Sequence, residues 1–143
     1  MAVIVVVGLP GSGKSGLLDE LQMEGYTLFE DITRDWNGNL PRARTHAREG
    51  SNVAITDLMF CYESWRSRLE HELGLPVRWV FFENNPWQCA KNCLYRFMFQ
   101  KPHRPLKFEV LMIRKLSLVY RPYGEIRPVV RADAQIPSQH VCA

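Results

Sequence analysis

Apolar residues occur in short runs along the chain, and the spacing within each run predicts its secondary structure. Residues 2–7 form an unbroken and mostly β-branched run, Ala-Val-Ile-Val-Val-Val, which is typical of a strand buried on both faces. Similar short runs follow later in the chain. Together they predict strands at 2–7, 26–30, 52–56 and 77–82, with a short last strand at 127–131.

The segments between these runs carry helical spacing and helix end signals. Gly25, Gly50 and Gly74 each mark a helix end, because glycine readily adopts the left-handed conformation found there. Asn85 followed by Pro86 marks a helix start. The pattern predicts helices at 16–24, 40–49 with Asn39 as its cap, 62–73, 86–99 and 106–119.

Strands and helices alternate, which predicts an α/β fold. We expect a three-layer sandwich with a mostly parallel sheet of about five strands and helices on both faces. Ligands of such sheets bind outside the carboxyl ends of the strands. Gly8, Asp31 and Asp57 each follow a predicted strand directly, so these three residues are expected to face one crevice.

Residues 8–15, Gly-Leu-Pro-Gly-Ser-Gly-Lys-Ser, match the pattern G-x-x-x-x-G-K-[ST] at every fixed position, between a strand and a helix as this motif requires. Glycines let the backbone wrap an anion, and the free N–H groups at the helix start point towards it. Lys14 supplies charge for the β- and γ-phosphates, and the Ser15 hydroxyl suits Mg²⁺. We expect a nucleoside triphosphate, ATP or GTP, with Mg²⁺ to bind at Gly8, Pro10, Gly11, Ser12, Gly13, Lys14, Ser15 and Gly16.

Two carboxylates and an arginine extend this candidate site. Asp57 follows an apolar strand, the Walker B arrangement in which a carboxylate holds Mg²⁺ directly or through water; the alternative is an aspartate that caps the next turn. Asp31 is a candidate base for the proton of an attacking hydroxyl, and Arg34 is a candidate ligand for a substrate phosphate. The alternative for this pair is a charged surface turn.

A basic segment interrupted by prolines lies between the last two predicted helices. Arg96 and Arg104 flank it, with Lys101 and His103 between them. Guanidinium groups stabilise the negative charge of phosphoryl transfer, and a short segment of this kind, about 96–106, suits a lid that closes over a substrate. The alternative is a helix–loop–helix with solvated cations.

Composition favours one globular domain. The chain has 143 residues, of which 46% are hydrophobic and 23% charged, and we expect a domain at 1–131 with an irregular tail at 132–143. No apolar run approaches the roughly 20 residues that span a bilayer, and the apolar N-terminus lacks a basic leader, so we expect a cytoplasmic protein with no membrane partner. No C-x-x-C pair occurs, which favours buried free thiols over metal ligands or disulfides at Cys61, Cys89, Cys93 and Cys142.

Charge is divided unevenly along the chain. Residues 1–90 contain 8 lysines and arginines against 12 aspartates and glutamates, whereas residues 91–131 contain 10 against 2. The basic segment is expected either to face phosphates, those of ATP or of a polyanionic substrate such as nucleic acid, or to form an ordinary solvated helix surface.

In order along the chain, these motifs resemble small P-loop kinases, the group of P-loop NTPases that includes polynucleotide kinases, zeta-toxin-like kinases and related small-molecule phosphotransferases. The resemblance rests on the loop at 8–15, on Asp31 and Arg34 where polynucleotide kinases place their base and an arginine, and on the carboxylate of Asp57. It departs at Gly16, where the family usually has threonine. The resemblance implies a P-loop NTPase-type fold and kinase activity.

Three functions are compatible with these features. The first is transfer of the γ-phosphoryl group of ATP to a hydroxyl acceptor, with Lys14, Asp31, Arg96 and Arg104 as catalytic residues. Its acceptor is a nucleic-acid 5′ end, a nucleoside or a small molecule. The second is a nucleotide-binding or hydrolysing regulatory module without a dedicated acceptor, and the third is a basic nucleic-acid binder. The sequence carries no signal for an oligomeric state.

Overall fold

The computed structural model describes residues 2–100 and 104–132. Its strands are β1 (Val3–Val7), β2 (Thr27–Glu30), β3 (Val53–Thr56), β4 (Arg78–Phe82) and β5 (Glu125–Arg127). Its α-helices are α1 (Lys14–Met23), α2 (Trp36–Arg48), α3 (Glu63–Leu73), α4 (Pro86–Phe99) and α5 (Leu106–Ser117). Short 3₁₀ helices at Ile32–Asp35 and Leu58–Cys61 follow β2 and β3.

The strands form one parallel sheet in the order β2-β3-β1-β4-β5. The central strand β1 pairs on both sides, so that Val5 lies opposite Ile55 on one side and Trp79 on the other. The predicted α/β architecture is confirmed, and the described sheet is entirely rather than mostly parallel.

Hydrophobic clusters cover both faces of the sheet. Val3, Val5 and Val7 face the larger cluster, which receives side chains from α2, α3, α4 and α5, while Ile4 and Val6 face a smaller cluster with α1. Alternate β1 residues therefore enter opposite layers, and all of them are buried. This double burial explains why the strand is an unbroken apolar run.

The predicted start of the second helix is wrong. We expected Asn39 to cap a helix at 40–49, but α2 begins at Trp36, and the carboxylate of Asp35 accepts a hydrogen bond from the Gly38 N–H at 3.3 Å. Proline is favoured in the first turn of a helix, yet Pro41 lies inside α2. Trp36, the first residue of the helix, is buried in the hydrophobic core.

The predicted last strand is also misplaced. It was expected at 127–131, whereas β5 is Glu125–Arg127. Residues 128–131 leave the sheet and pass the glycine loop, where the Val130 N–H donates to the Ser12 carbonyl at 3.2 Å. Val129 and Val130 have the β-branched side chains typical of a strand. Their apolar character has another reason, because Val129 is buried against the core and Val130 packs against Gly13 of the glycine loop.

The remaining helix signals agree with the structure. Asn85 Oδ1 accepts from the Gln88 N–H at 3.1 Å with Pro86 in the first turn, and Gly74 ends α3 in the left-handed conformation. None of the described helices has the length and apolarity needed to cross a membrane. The buried free thiols predicted at Cys61, Cys89 and Cys93 are confirmed. Cys142 lies outside the described residues, as do positions 133–143 of the predicted tail.

Candidate phosphotransfer site

A cleft of about 510 Å³ lies at the carboxyl ends of the strands, where the sequence placed it. It brings together most of the predicted site residues, namely Gly11, Ser12, Gly13, Lys14, Ser15, Asp31, Arg34, Asp57, Arg96 and Arg104. Gly8, Pro10 and Gly16 do not line it. Sequence reasoning did not select Asn92, Gln100, Glu109, Val130 or Ala132, which also line the cleft.

The glycine loop, residues 8–15, is packed closely from both sides. Gly11 and Gly13 have φ of 81° and 105°, a region that other residues rarely adopt. A Cβ on Gly11 would lie 2.5 Å from the Cys89 carbonyl oxygen, and one on Gly13 would lie 2.5 Å from Val130 Cγ2. These two glycines are therefore required both for backbone conformation and for space.

The Lys14 side chain folds back and bonds to the backbone of its own loop. Its Nζ donates to the carbonyl oxygens of Gly8 at 2.7 Å and Leu9 at 2.8 Å. Desolvation lowers the pKa of Lys14 to about 8, and the charges of Arg104 and Arg96 contribute in the same direction. The residue as a whole is partly exposed, but its ammonium group is desolvated and held by carbonyl oxygens, and an anion would stabilise its charge further.

Asp57 follows β3 directly and is buried at the edge of the cleft. Its Oδ2 accepts from the Thr33 N–H at 2.9 Å and from Thr33 Oγ1 at 2.6 Å, and its Oδ1 accepts from the Met59 N–H at 2.8 Å. The carboxylate therefore ties the end of β3 to the segment after β2. Sequence reasoning did not select Thr33, because the contact joins positions 24 residues apart.

Asp31 lies directly after β2 with φ of 51°, in the left-handed region. Its Oδ1 accepts from Arg104 Nη2 at 3.3 Å. A non-glycine residue in this region costs about 1–3 kcal/mol and is often found at functional sites. Arg34 is exposed at the cleft, and its side chain has no hydrogen-bond or ion-pair partner among the described residues.

Arg96 is held by the two helices that frame the cleft. Its Nη2 donates to Cys93 Sγ at 3.3 Å and to Glu109 Oε1 at 3.2 Å. Glu109 is buried, and neither its Oε2 nor Arg96 Nε has a partner in the described part of the chain. The only signal in the sequence for Glu109 was its isolation, as an acidic residue within the basic segment.

Asn92 connects the glycine loop to the segment after β5. Its Nδ2 donates to the Gly11 carbonyl at 2.8 Å and also to the Val130 carbonyl, while its Oδ1 accepts from the Ala132 N–H at 3.1 Å. The side chain is buried. No local pattern indicates this role, since Ala132 lies 40 residues away in sequence.

The cations of the basic segment are divided between the cleft and the outer surface of the helices, and their predicted role towards phosphates stays a prediction. Arg96 and Arg104 line the cleft, whereas Lys91, Lys107, Arg114, Lys115 and Arg121 are exposed on or near α4 and α5. Arg96 belongs to α4, and Arg104 immediately precedes α5. Lys101 and His103 lie outside the described residues, so a closing lid stays a prediction.

Comparison with known proteins identifies a relative in sequence and two structures with a similar fold. No family model matches the chain. The uncharacterized protein R277 of Acanthamoeba polyphaga mimivirus is 32% identical over 98 residues, which span 63% of this chain and 69% of that protein. The chain therefore belongs to the same protein family as R277.

Two solved structures share the fold over nearly the whole chain. A gluconokinase from Sinorhizobium meliloti 1021 has a TM-score of 0.60 at 18% identity, covering 99% of this chain and 90% of its own. Kti12 of Chaetomium thermophilum, in complex with ADP-AlF3, has a TM-score of 0.55 at 16% identity, covering 97% of this chain and 94% of its own. The chain thus has a small P-loop kinase-type fold, as the sequence motifs implied.

Proposed function

We propose that this protein is an ATP-dependent phosphotransferase that moves the γ-phosphoryl group to a hydroxyl acceptor. One observation carries the proposal: the glycine loop with Lys14, the carboxylate of Asp31 and the guanidinium of Arg104 all line the same cleft of about 510 Å³. A phosphate cradle, a base and a charge-stabilising cation are the parts that phosphoryl transfer requires.

The glycine loop and Lys14 would bind the β- and γ-phosphates. The free N–H groups at the start of α1 and the left-handed glycines suit an anion. Side chains at Gly11 and Gly13 would collide with α4 and with Val130, so the loop can take this path only with glycine at both positions. On phosphate binding, the Lys14 ammonium would exchange its carbonyl contacts for phosphate oxygens. The ADP-AlF3 in the Kti12 structure supports an adenine nucleotide as the donor.

Ser15 and Asp57 would hold Mg²⁺, which would neutralise charge on the phosphates. Both are oxygen donors lining the cleft, and no cluster of three histidine, cysteine or acidic side chains suited to a metal occurs within the described residues. This donor set fits Mg²⁺, which commonly takes one or two protein ligands together with water and nucleotide phosphates. The three hydrogen bonds to Asp57 fix its carboxylate in place.

Asp31 would take the proton from the acceptor hydroxyl as its oxygen attacks the γ-phosphorus. The bond from the γ-phosphorus to the bridging oxygen breaks, and the nucleoside diphosphate leaves. Arg104 and Arg96 would stabilise the charge on the transferring group, and Arg34 would hold an anionic part of the acceptor. Arg104 Nη2 lies 3.3 Å from Asp31 Oδ1, so the candidate base and the candidate cation are in contact.

A nucleotide-binding or hydrolysing module without an acceptor is the second candidate. It is favoured by the same ion pair, because the Arg104 guanidinium already engages one oxygen of the Asp31 carboxylate. Substitution Asp31→Asn separates the two functions. A kinase loses turnover by about 10²–10⁴ while still binding ATP, whereas a hydrolase or sensor is little affected.

The test measures ATP consumption and ATP binding for the wild type, for Asp31→Asn and for the control Asp19→Asn, an exposed carboxylate on α1. Loss of turnover with retained binding in Asp31→Asn alone supports the kinase. Equal turnover in all three proteins overturns the assignment of Asp31 as the base.

A further inference from the structure

A small side chamber of about 200 Å³ adjoins the cleft. It shares Asp31, Arg34, Asp57, Leu58 and Arg104 with the cleft. None of the glycine-loop residues lines it. The chamber therefore stands beside the proposed base, apart from the loop that would hold the nucleotide phosphates.

The chamber wall includes four apolar residues, one of them a partly exposed aromatic ring. Leu58, Met59, Phe108 and Met112 contribute to its wall. The Phe108 side chain is 43% exposed, and its ring contacts no other aromatic ring in the described part of the chain. The guanidinium of Arg104 lies 5.9 Å from the centre of that ring. An exposed ring beside a chamber, flanked by a planar cation, is a surface for a flat apolar ligand.

Few polar groups of the chamber are free to bind a ligand. Thr33 Oγ1 donates to Asp57, which accepts three protein hydrogen bonds and is assigned to Mg²⁺ under the proposed function. Asp31 and Arg104, which pair through one oxygen and one nitrogen, and Arg34, whose side chain has no described partner, are the groups that can turn to a ligand. The side chains of Leu58, Met59, Phe108 and Met112 offer a polyol no such partners, so each hydroxyl group packed against them would cost free energy.

We propose that this chamber is the acceptor subsite, and that it takes a hydroxyl compound with a planar aromatic body rather than a sugar or sugar acid. The inference rests on the proposed kinase function. The aromatic body packs against Phe108 and Met112, and the hydroxyl group faces Asp31, which removes its proton as the oxygen–phosphorus bond forms and the nucleoside diphosphate leaves. An anionic group on the acceptor pairs with Arg34.

The test is saturation-transfer NMR on the full chain with MgADP present to fill the phosphate site. The aromatic probes are thymidine and 2-phenylethanol, and the polyol probes are glucose and gluconate. We expect transfer to the aromatic probes and none to the polyols. Met112→Gln and Phe108→Ala should weaken aromatic binding about tenfold, since base–aromatic contacts contribute about 1–3 kcal/mol. The control Leu111→Gln, at an exposed position outside the chamber, should bind as the wild type does.

Several outcomes separate this inference from the kinase proposal. Circular dichroism shows whether each variant is folded. If Phe108→Ala does not fold, the binding measured for Met112→Gln alone tests the aromatic subsite. Equal binding of polyols, no binding of either aromatic probe, or binding that neither variant weakens overturns the aromatic subsite. Label transferred from ATP to glucose or gluconate supports the kinase but overturns the subsite. Thymidine bound in the chamber, with only free phosphate formed from ATP in the presence of every probe, supports aromatic binding there but contradicts both the kinase and the chamber's role as its acceptor subsite.

Discussion

Arg104 Nη2 lies 3.3 Å from Asp31 Oδ1, an ion pair that joins the start of α5 to the end of β2 across 73 residues of sequence. Both side chains are partly exposed, so the pair contributes little to folding, about 0–1 kcal/mol. Its importance is positional. It places a guanidinium beside the carboxylate that is the candidate base, within the cleft that contains the glycine loop.

Substitution Arg104→Ala is therefore expected to reduce catalysis and not folding. Loss of a guanidinium that stabilises the transferring phosphoryl group lowers kcat by about 10³ or more. The free energy of unfolding in urea should change by less than about 1 kcal/mol. Arg114→Ala removes an exposed arginine of α5 outside the cleft and serves as the matched control. Equal kcat values for the two variants would exclude Arg104 from the reaction.

Nucleotide affinity should depend on pH through Lys14. Its pKa is lowered to about 8 by burial, and only the charged ammonium attracts phosphate, so binding of the polyanion raises that pKa. Affinity measured by calorimetry should be constant below about pH 8 and fall above it, by up to about tenfold per pH unit. Lys14→Arg stays charged throughout and should flatten this fall. A fall of the same steepness in the arginine variant would assign it to another group.

Gly16 is the glycine near the loop that the structure does not require. It lies in α1, its φ is not positive, and a Cβ there would meet nothing within 4 Å. Gly16→Ala should therefore raise the free energy of unfolding by about 1 kcal/mol. Gly25 has equally open surroundings but a φ of 97°, so Gly25→Ala should lower stability by about 1 kcal/mol. Urea denaturation of both variants checks the contrast, and shifts of the same sign would contradict it.

Asn92→Ala should weaken both folding and nucleotide binding. The change removes the donor to the Gly11 carbonyl and the acceptor for the Ala132 N–H, leaving partly buried groups without these partners at a cost of about 1 kcal/mol or more. Gln22→Ala, at an exposed position on α1, is the control for urea denaturation and ATP titration. If Asn92→Ala matches that control in both assays, the link from α4 to the loop has no energetic role.

The central part of the fold could be predicted because its determinants are contiguous in sequence. The strand at β1, the glycine loop and α1 follow one another, and the pattern at 8–15 requires that order. Asp31 and Asp57 were located because the carboxyl ends of parallel strands share one edge of the sheet.

The contacts that complete the site could not be predicted in the same way. Glu109 pairs with Arg96, and Asn92 with Ala132, through packing of elements distant in sequence, and no local spacing indicates such pairs. Residues 128–131 were misassigned because burial against a loop selects the same apolar residues as burial in a strand.

The most direct test of the central claim is transfer of label from γ-labelled ATP to a panel of oligonucleotides, nucleosides, sugars, antibiotics and aromatic alcohols. The account predicts label in an acid-stable phosphoester with at least one acceptor, and none with Lys14→Ala or Asp31→Asn. Label recovered only as free phosphate with every acceptor would contradict the assignment as a phosphotransferase.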